Sequence, residues 1–72
     1  MDYMTLIDSA LYRKPLYITK GEDISNGFWI IPSRVSFKEK KIIIADDTRE
    51  YFIADGDESY RFYSVDQASL LL

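Results

Sequence analysis

Two gaps of only four residues constrain this chain more than anything else in it. Residues 40–65 read KKIIIADDTREYFIADGDESYRFYSV, in which three runs rich in Ile, Tyr, Phe and Val are parted by Asp46-Asp47-Thr48-Arg49 and Asp55-Gly56-Asp57-Glu58. Such residue types suit a pleated, half-buried surface, and the Asp and Gly between them supply turn chemistry. A parallel crossover needs a dozen residues or more, so gaps this short join antiparallel neighbours. The expected strands are 41–45, 50–54 and 59–65. If the second gap closes with Ala54 opposite Ser59, Ile53 faces Tyr60 and Tyr51 faces Phe62. Four large side chains then share one side, and the reverse side, with Glu50, Phe52, Ala54, Arg61 and Tyr63, needs partial cover.

The remaining elements follow from periodicity. Tyr3, Leu6, Ile7, Ala10 and Leu11 recur at i, i+3, i+4, i+7 and i+8, which predicts a short amphipathic helix capped by Asp2 and ended by Lys14, before Pro15. Its apolar stripe is expected to cover the sheet, with partner binding as the sharper alternative. Residues 16–20 alternate as a strand. For 21–27 two readings stand: an Asn26-Gly27 hairpin pairing Ile24 with Trp29, or a plain loop joining two strands, the second being preferred. Phe28-Trp29-Ile30-Ile31 has no polar position, so cover on both faces is expected, with Pro32 ending the run or making it an edge. Val35 and Phe37 alternate with polar neighbours as a further strand, and 38–40 turn into the central stretch. Ser64-Val65-Asp66-Gln67 is a capping box, which predicts a helix over 65–72 that needs docking to persist. The fold expected is therefore α+β: a single domain over 1–72, with a four- to five-stranded antiparallel sheet and a short helix packed at each end of the chain. A small five-stranded barrel is the alternative.

Composition narrows function mainly by exclusion. The 72 residues contain no Cys and no His, which removes thiolate chemistry, disulfides, the commonest general base and the commonest zinc ligand. No apolar run approaches the roughly 18 residues of a membrane span, and the start carries no basic flank ahead of an apolar core, so a cytoplasmic, unprocessed chain is expected, beginning at Met1 or Met4. The three glycines are turn glycines, and no nucleophile stands beside a base. Neither catalysis nor a cofactor is expected. Asp46, Asp47, Asp55, Asp57 and Glu58 are the one cluster with cation-ligand chemistry, but they sit on two separate turns at the wrong spacing for a calcium loop, and no metal is expected.

Charge is uneven along the chain. Residues 1–41 carry seven basic and five acidic groups, residues 42–72 two basic and seven acidic. The acidic half interleaves carboxylates with tyrosines, a pairing that combines steering charge with rigid contact area. The function expected is a non-catalytic inhibitor or regulator. It would dock on a larger basic protein, one that itself binds nucleic acid for instance, through Asp46, Asp47, Glu50, Tyr51, Asp55, Asp57, Glu58, Tyr60 and Tyr63, the acids imitating phosphates. In size and character this is the general style of small phage or mobile-element proteins that inhibit host machinery, though no motif carries that likeness. Two alternatives remain. One is a nucleic-acid module using Arg34, Lys38, Lys40 and Lys41 beside Trp29 and Phe37; the other is a structural homodimer sealed by Trp29, Leu70, Leu71 and Leu72.

Overall fold

The computed structural model describes residues 3–72, so the expected cap at Asp2 lies outside them. In chain order the elements are α1 (Tyr3–Tyr12), β1 (Leu16–Lys20), β2 (Gly27–Ile30), β3 (Arg34–Lys38), β4 (Lys41–Ala45), β5 (Glu50–Ala54), β6 (Tyr60–Ser64) and α2 (Val65–Leu71). The class is α+β, but the expected single sheet or barrel gives way to two three-stranded antiparallel sheets, ordered β2-β1-β6 and β3-β4-β5.

The chain changes sheet between β5 and β6, where a hairpin was expected. β5 pairs with β4, placing Ile53 opposite Ile42, whereas β6 pairs with β1, placing Phe62 opposite Ile18. Backbone bonds at the two ends of the connecting residues, 55–59, impose this. The Asp55 N–H donates to the Lys40 carbonyl in one sheet, and the Ser59 carbonyl accepts from the Gly21 N–H beside the other. Between those anchors Gly56 turns the chain at φ 85° and the Asp57 carboxylate accepts from the Ser59 N–H and hydroxyl. The inward alternation survives the change of partner: Tyr51 and Ile53 from one sheet and Tyr60 and Phe62 from the other all pack on or in the common core.

That core joins Leu16, Ile18, Ile30 and Phe62 of the first sheet to Ile42, Ile44 and Ile53 of the second, with Leu6 of α1 completing it. α1 lies against β6 and β3, the edge strands on one side of the two sheets. On the other side the edges β2 and β5 approach through the Phe28 and Tyr51 rings, 5.1 Å between centroids. Removing Leu6 from solvent stabilises by roughly 2 kcal/mol, and it does so only where both sheets are already in place.

Local sequence explains where the helices stop and start. After Tyr12, Arg13 takes φ 55° and the Lys14 N–H reaches back to the Ser9 carbonyl at 2.9 Å, a Schellman ending that usually carries glycine at the left-handed position. Ser64 caps α2 as expected: its hydroxyl accepts from the Gln67 N–H while the Gln67 side chain accepts from the Ser64 N–H. α2 then packs on β6 and β1 through the fully buried Ala68.

The turn from β3 to β4 holds only Glu39 and Lys40, at φ 53° and 63°, with Lys38 opposite Lys41. Two left-handed residues define the hairpin turn that favours Asn-Gly, and each ordinary residue there is strained by roughly 1 kcal/mol. Replacing Glu39→Asn together with Lys40→Gly should raise stability by about 1 kcal/mol, read as a higher urea midpoint at unchanged slope. A lower midpoint would mean that these side chains hold the turn through contacts of their own.

Candidate interaction surface

The nine residues expected to form one acidic, tyrosine-rich face do not share a face. Asp46 and Asp47 sit at one end of β5, and Asp55, Asp57 and Glu58 at the other, separated by a five-residue strand, about 16 Å. Tyr51 and Tyr60 pack on the core, while Tyr63 lies on the outer side of the first sheet beside Tyr17, ring centroids 6.5 Å apart.

Most of these acids also have work inside the chain. One Asp46 oxygen accepts from the Thr48 N–H at 2.8 Å, from the Arg49 N–H at 2.7 Å and from the Thr48 hydroxyl. Asp57 serves Ser59 in the same way, Glu50 pairs with Arg34 at 3.0 Å, and Asp55 accepts from the Tyr3 hydroxyl at 2.7 Å. Asp47 remains exposed on its turn.

These bonds shift titration in a consistent direction. Bonds from the Thr48 and Arg49 amides hold the Asp46 carboxyl below its ordinary value, and the Ser59 hydroxyl and amide do the same for Asp57. The Ser25 hydroxyl and amide lower Asp23 likewise. A carboxyl whose value falls on folding contributes stability above its unfolded value, and that contribution is lost as pH falls through the folded value. Wild-type stability should therefore decline on acidification below about pH 4. The double substitution Asp46→Asn and Asp57→Asn should flatten that decline in urea midpoints measured between about pH 2 and 6. Parallel wild-type and variant profiles would show that these turns are equally stable unfastened.

The basic strip is partly assembled. Lys38 and Lys41 face each other across β3 and β4 on the outer side of the second sheet, in the next rank to Ser36, Ile43 and Phe52, and Phe52 is 60% exposed. Arg34 lies two ranks away, bound to Glu50. Trp29 is on the outer side of the other sheet, against Tyr17. Among the described residues no group of three carboxylates is placed to hold a metal ion, and no helix is long and apolar enough to cross a membrane.

Apolar exposure is where the structure departs furthest from expectation. Phe28, Trp29 and Ile31 are 39%, 47% and 56% exposed: β2 is an edge strand, and of the cover expected on both faces only the core side, where Ile30 is buried and Phe28 meets Tyr51, is present among the described residues. Leu70, Leu71 and Leu72 also stay in solvent at the end of α2. The largest surprise is α1. Its inward side is Tyr3, Leu6, Ser9 and Ala10, while Ile7 and Leu11, expected in the buried stripe, join Met4 on a second stripe that faces outward.

Ile7, Ala10 and Leu11 line one wall of an open groove of about 550 Å³ between α1 and β3, with Val35 and Phe37 forming the other wall. Phe37 is half-exposed and meets Tyr3 edge-on, 5.7 Å between centroids. Arg13, Ser33 and Arg34 close one end of the groove. Arg13 also borders the adjoining crevice lined by Trp29, Ile31, Asp46 and Asp47. Comparison with protein-family models, curated proteins and solved structures gives no match to the chain.

Proposed function

We propose that this protein is a non-catalytic interaction module of the cytoplasm, and that its working surface is the α1–β3 face. The observation that carries the reading is the outward stripe Met4, Ile7 and Leu11 beside the half-exposed Phe37, on a chain of only 72 residues. A small domain that leaves contiguous large apolar side chains in water loses stability it could have gained by burying them, and such patches mark contact surfaces. The absence of Cys and His from the sequence supports a non-catalytic, reducing-compartment reading.

Docking on a larger partner, with an inhibitory or regulatory effect, remains the role proposed; the acids then act as scattered steering charges, not as the contact itself. A nucleic-acid role is less well supported, since Arg34 is engaged by Glu50 and Glu39 interrupts the lysines. With the wild-type chain as bait in native extract, the double substitution Ile7→Glu and Leu11→Glu should reduce partner capture at least tenfold, equivalent to about 1.4 kcal/mol. The far-ultraviolet dichroism should stay unchanged, and reversing Asp55, Asp57 and Glu58 to Lys should cost far less. The opposite ranking would return the contact to the acidic loop.

A further inference from the structure

The outer side of the second sheet gathers positive charge that the chain as a whole lacks. Alternation along β3, β4 and β5 turns Val35, Phe37, Ile42, Ile44, Tyr51 and Ile53 toward the core or the α1 groove. The charged residues left on the opposite side are Arg34, Lys38, Lys41 and Glu50. Three bases against one acid give that side +2, on a chain of formal charge −3. Asp55 follows β5 on the α1 side, where it accepts from the Tyr3 hydroxyl, and Glu58 also acts on Tyr3. Glu39 and Lys40 fill the turn beside the two lysines, while Asp46, Asp47 and Arg49 belong to the turn beyond the Arg34 end.

We propose that this side of the second sheet binds single-stranded nucleic acid, one base stacked on Phe52 and the adjoining phosphate held between Lys38 and Lys41. The site goes beyond the docking reading and uses a different surface, since α1 meets β3 through Val35 and Phe37, which point the other way. Lys38 and Lys41 stand directly opposite each other, and among the described residues neither is in an ion pair. Like charges so placed repel, and a shared anion relieves the repulsion. Glu39 separates these lysines in sequence but not across the hairpin, and Arg34, bound to Glu50, is not needed. The Phe52 ring, 60% exposed, lies one strand and one rank from Lys41, a diagonal spacing of about 7 Å. Half-buried Ile43 beside it widens the platform. A flat face with one exposed ring has little to insert into a lipid surface, and a duplex hides the base faces that the ring would meet. A single strand offers an open base and a phosphate together.

Fluorescence anisotropy tests the proposal, with a fluorescein-labelled oligothymidylate of about ten nucleotides titrated with the wild-type chain over a salt series. Affinity should fall with salt at a log–log slope of about −1.4, the value for two phosphate contacts on a single strand. Lys38→Gln together with Lys41→Gln should bring the slope close to zero. Phe52→Ala should lower affinity at least about fivefold at unchanged slope, and Phe52→Trp should restore it. All these positions are exposed, so far-ultraviolet dichroism should match wild type throughout. Ile7→Glu with Leu11→Glu should leave oligonucleotide binding intact, which separates this site from the α1–β3 surface. No binding at the lowest salt, a slope indifferent to the lysines, or a Phe52→Ala variant with wild-type affinity would overturn the proposal. So would a duplex of the same length bound as tightly as the single strand, or retention on phosphatidylserine vesicles without binding to the oligonucleotide.

Discussion

Leu6→Ala should lower stability by about 3 kcal/mol, within the range for buried Leu→Ala changes, and so consume much of what a domain of this size possesses. Leu6 has no exposed surface and is the one fully buried apolar side chain that α1 contributes to the core. α1 itself touches β6 and β1 of one sheet and β3 of the other, so the cavity left by truncation opens where the two sheets and the helix meet. A ten-residue helix has little stability of its own, and loss of this anchor should release it together with the Tyr3–Asp55 bond. Urea titration followed by far-ultraviolet dichroism measures the effect. Met4→Ala, at a position 67% exposed, is the control and should stay within about 0.5 kcal/mol of wild type. Equal midpoints for the two variants would mean that α1 does not seal the core.

Gly27→Ala should be nearly as damaging, although Gly27 is itself exposed. Its backbone is not left-handed, so the objection to a side chain is lack of space. A Cβ at this position would lie 2.7 Å from the Ile18 carbonyl oxygen, 2.7 Å from Cζ of Tyr17 and 2.8 Å from Cγ2 of Thr19. The carbonyl belongs to β1, the central strand of its sheet, and cannot retreat without disturbing pairing on both sides. The edge strand β2 must therefore draw back from it, and the tyrosine ring must move as well, giving up the bond from its hydroxyl to the Ile24 carbonyl at 2.7 Å and its contact with Trp29, 5.0 Å between centroids. Overpacking with the loss of one hydrogen bond and one ring contact amounts to about 3 kcal/mol. The fluorescence of Trp29, the single tryptophan, should shift in the folded variant. A Gly27→Ala protein with wild-type midpoint and spectrum would show that the ring has a second resting place.

Alternation and caps made most elements readable from the residues. The β4 and β5 runs were placed residue for residue, and Pro15, the Ser64–Gln67 box and the preferred loop before β2 behaved as their chemistry dictates. Pairing was less accessible. A short link favours a hairpin only when its two ends bond to each other. Here residues 55–59 bond to Lys40 at one end and to Gly21 at the other, and five residues suffice to step about 10 Å from sheet to sheet. Nothing local distinguishes the two outcomes.

The same limit explains the surface. Sequence proximity placed Asp46 near Asp55, but the strand between them holds the two turns apart, and the hydrogen bonds that use up Asp46 and Asp57 are invisible until the turns close. The outward stripe of α1 did leave a trace. Seven of its ten residues, Tyr3, Met4, Leu6, Ile7, Ala10, Leu11 and Tyr12, are apolar or aromatic, more than one buried side can use. Counting them as a single stripe hid the second.

The partnership of β1 with β6 also sets an order of events during folding. Leu16 meets Ser64 across the sheet, whereas β3, β4 and β5 join through links of two and four residues. Nearby segments find each other sooner than distant ones, so the β3–β5 meander and the β1–β2 pair, joined by residues 21–26, should be the early structures, and the docking of β6 on β1 the late one. On a ribosome β1 would emerge before β6 and, even once paired with β2, would wait for that strand with its other edge unpaired. Aggregation during synthesis, more than unfolding afterwards, is the hazard this topology creates.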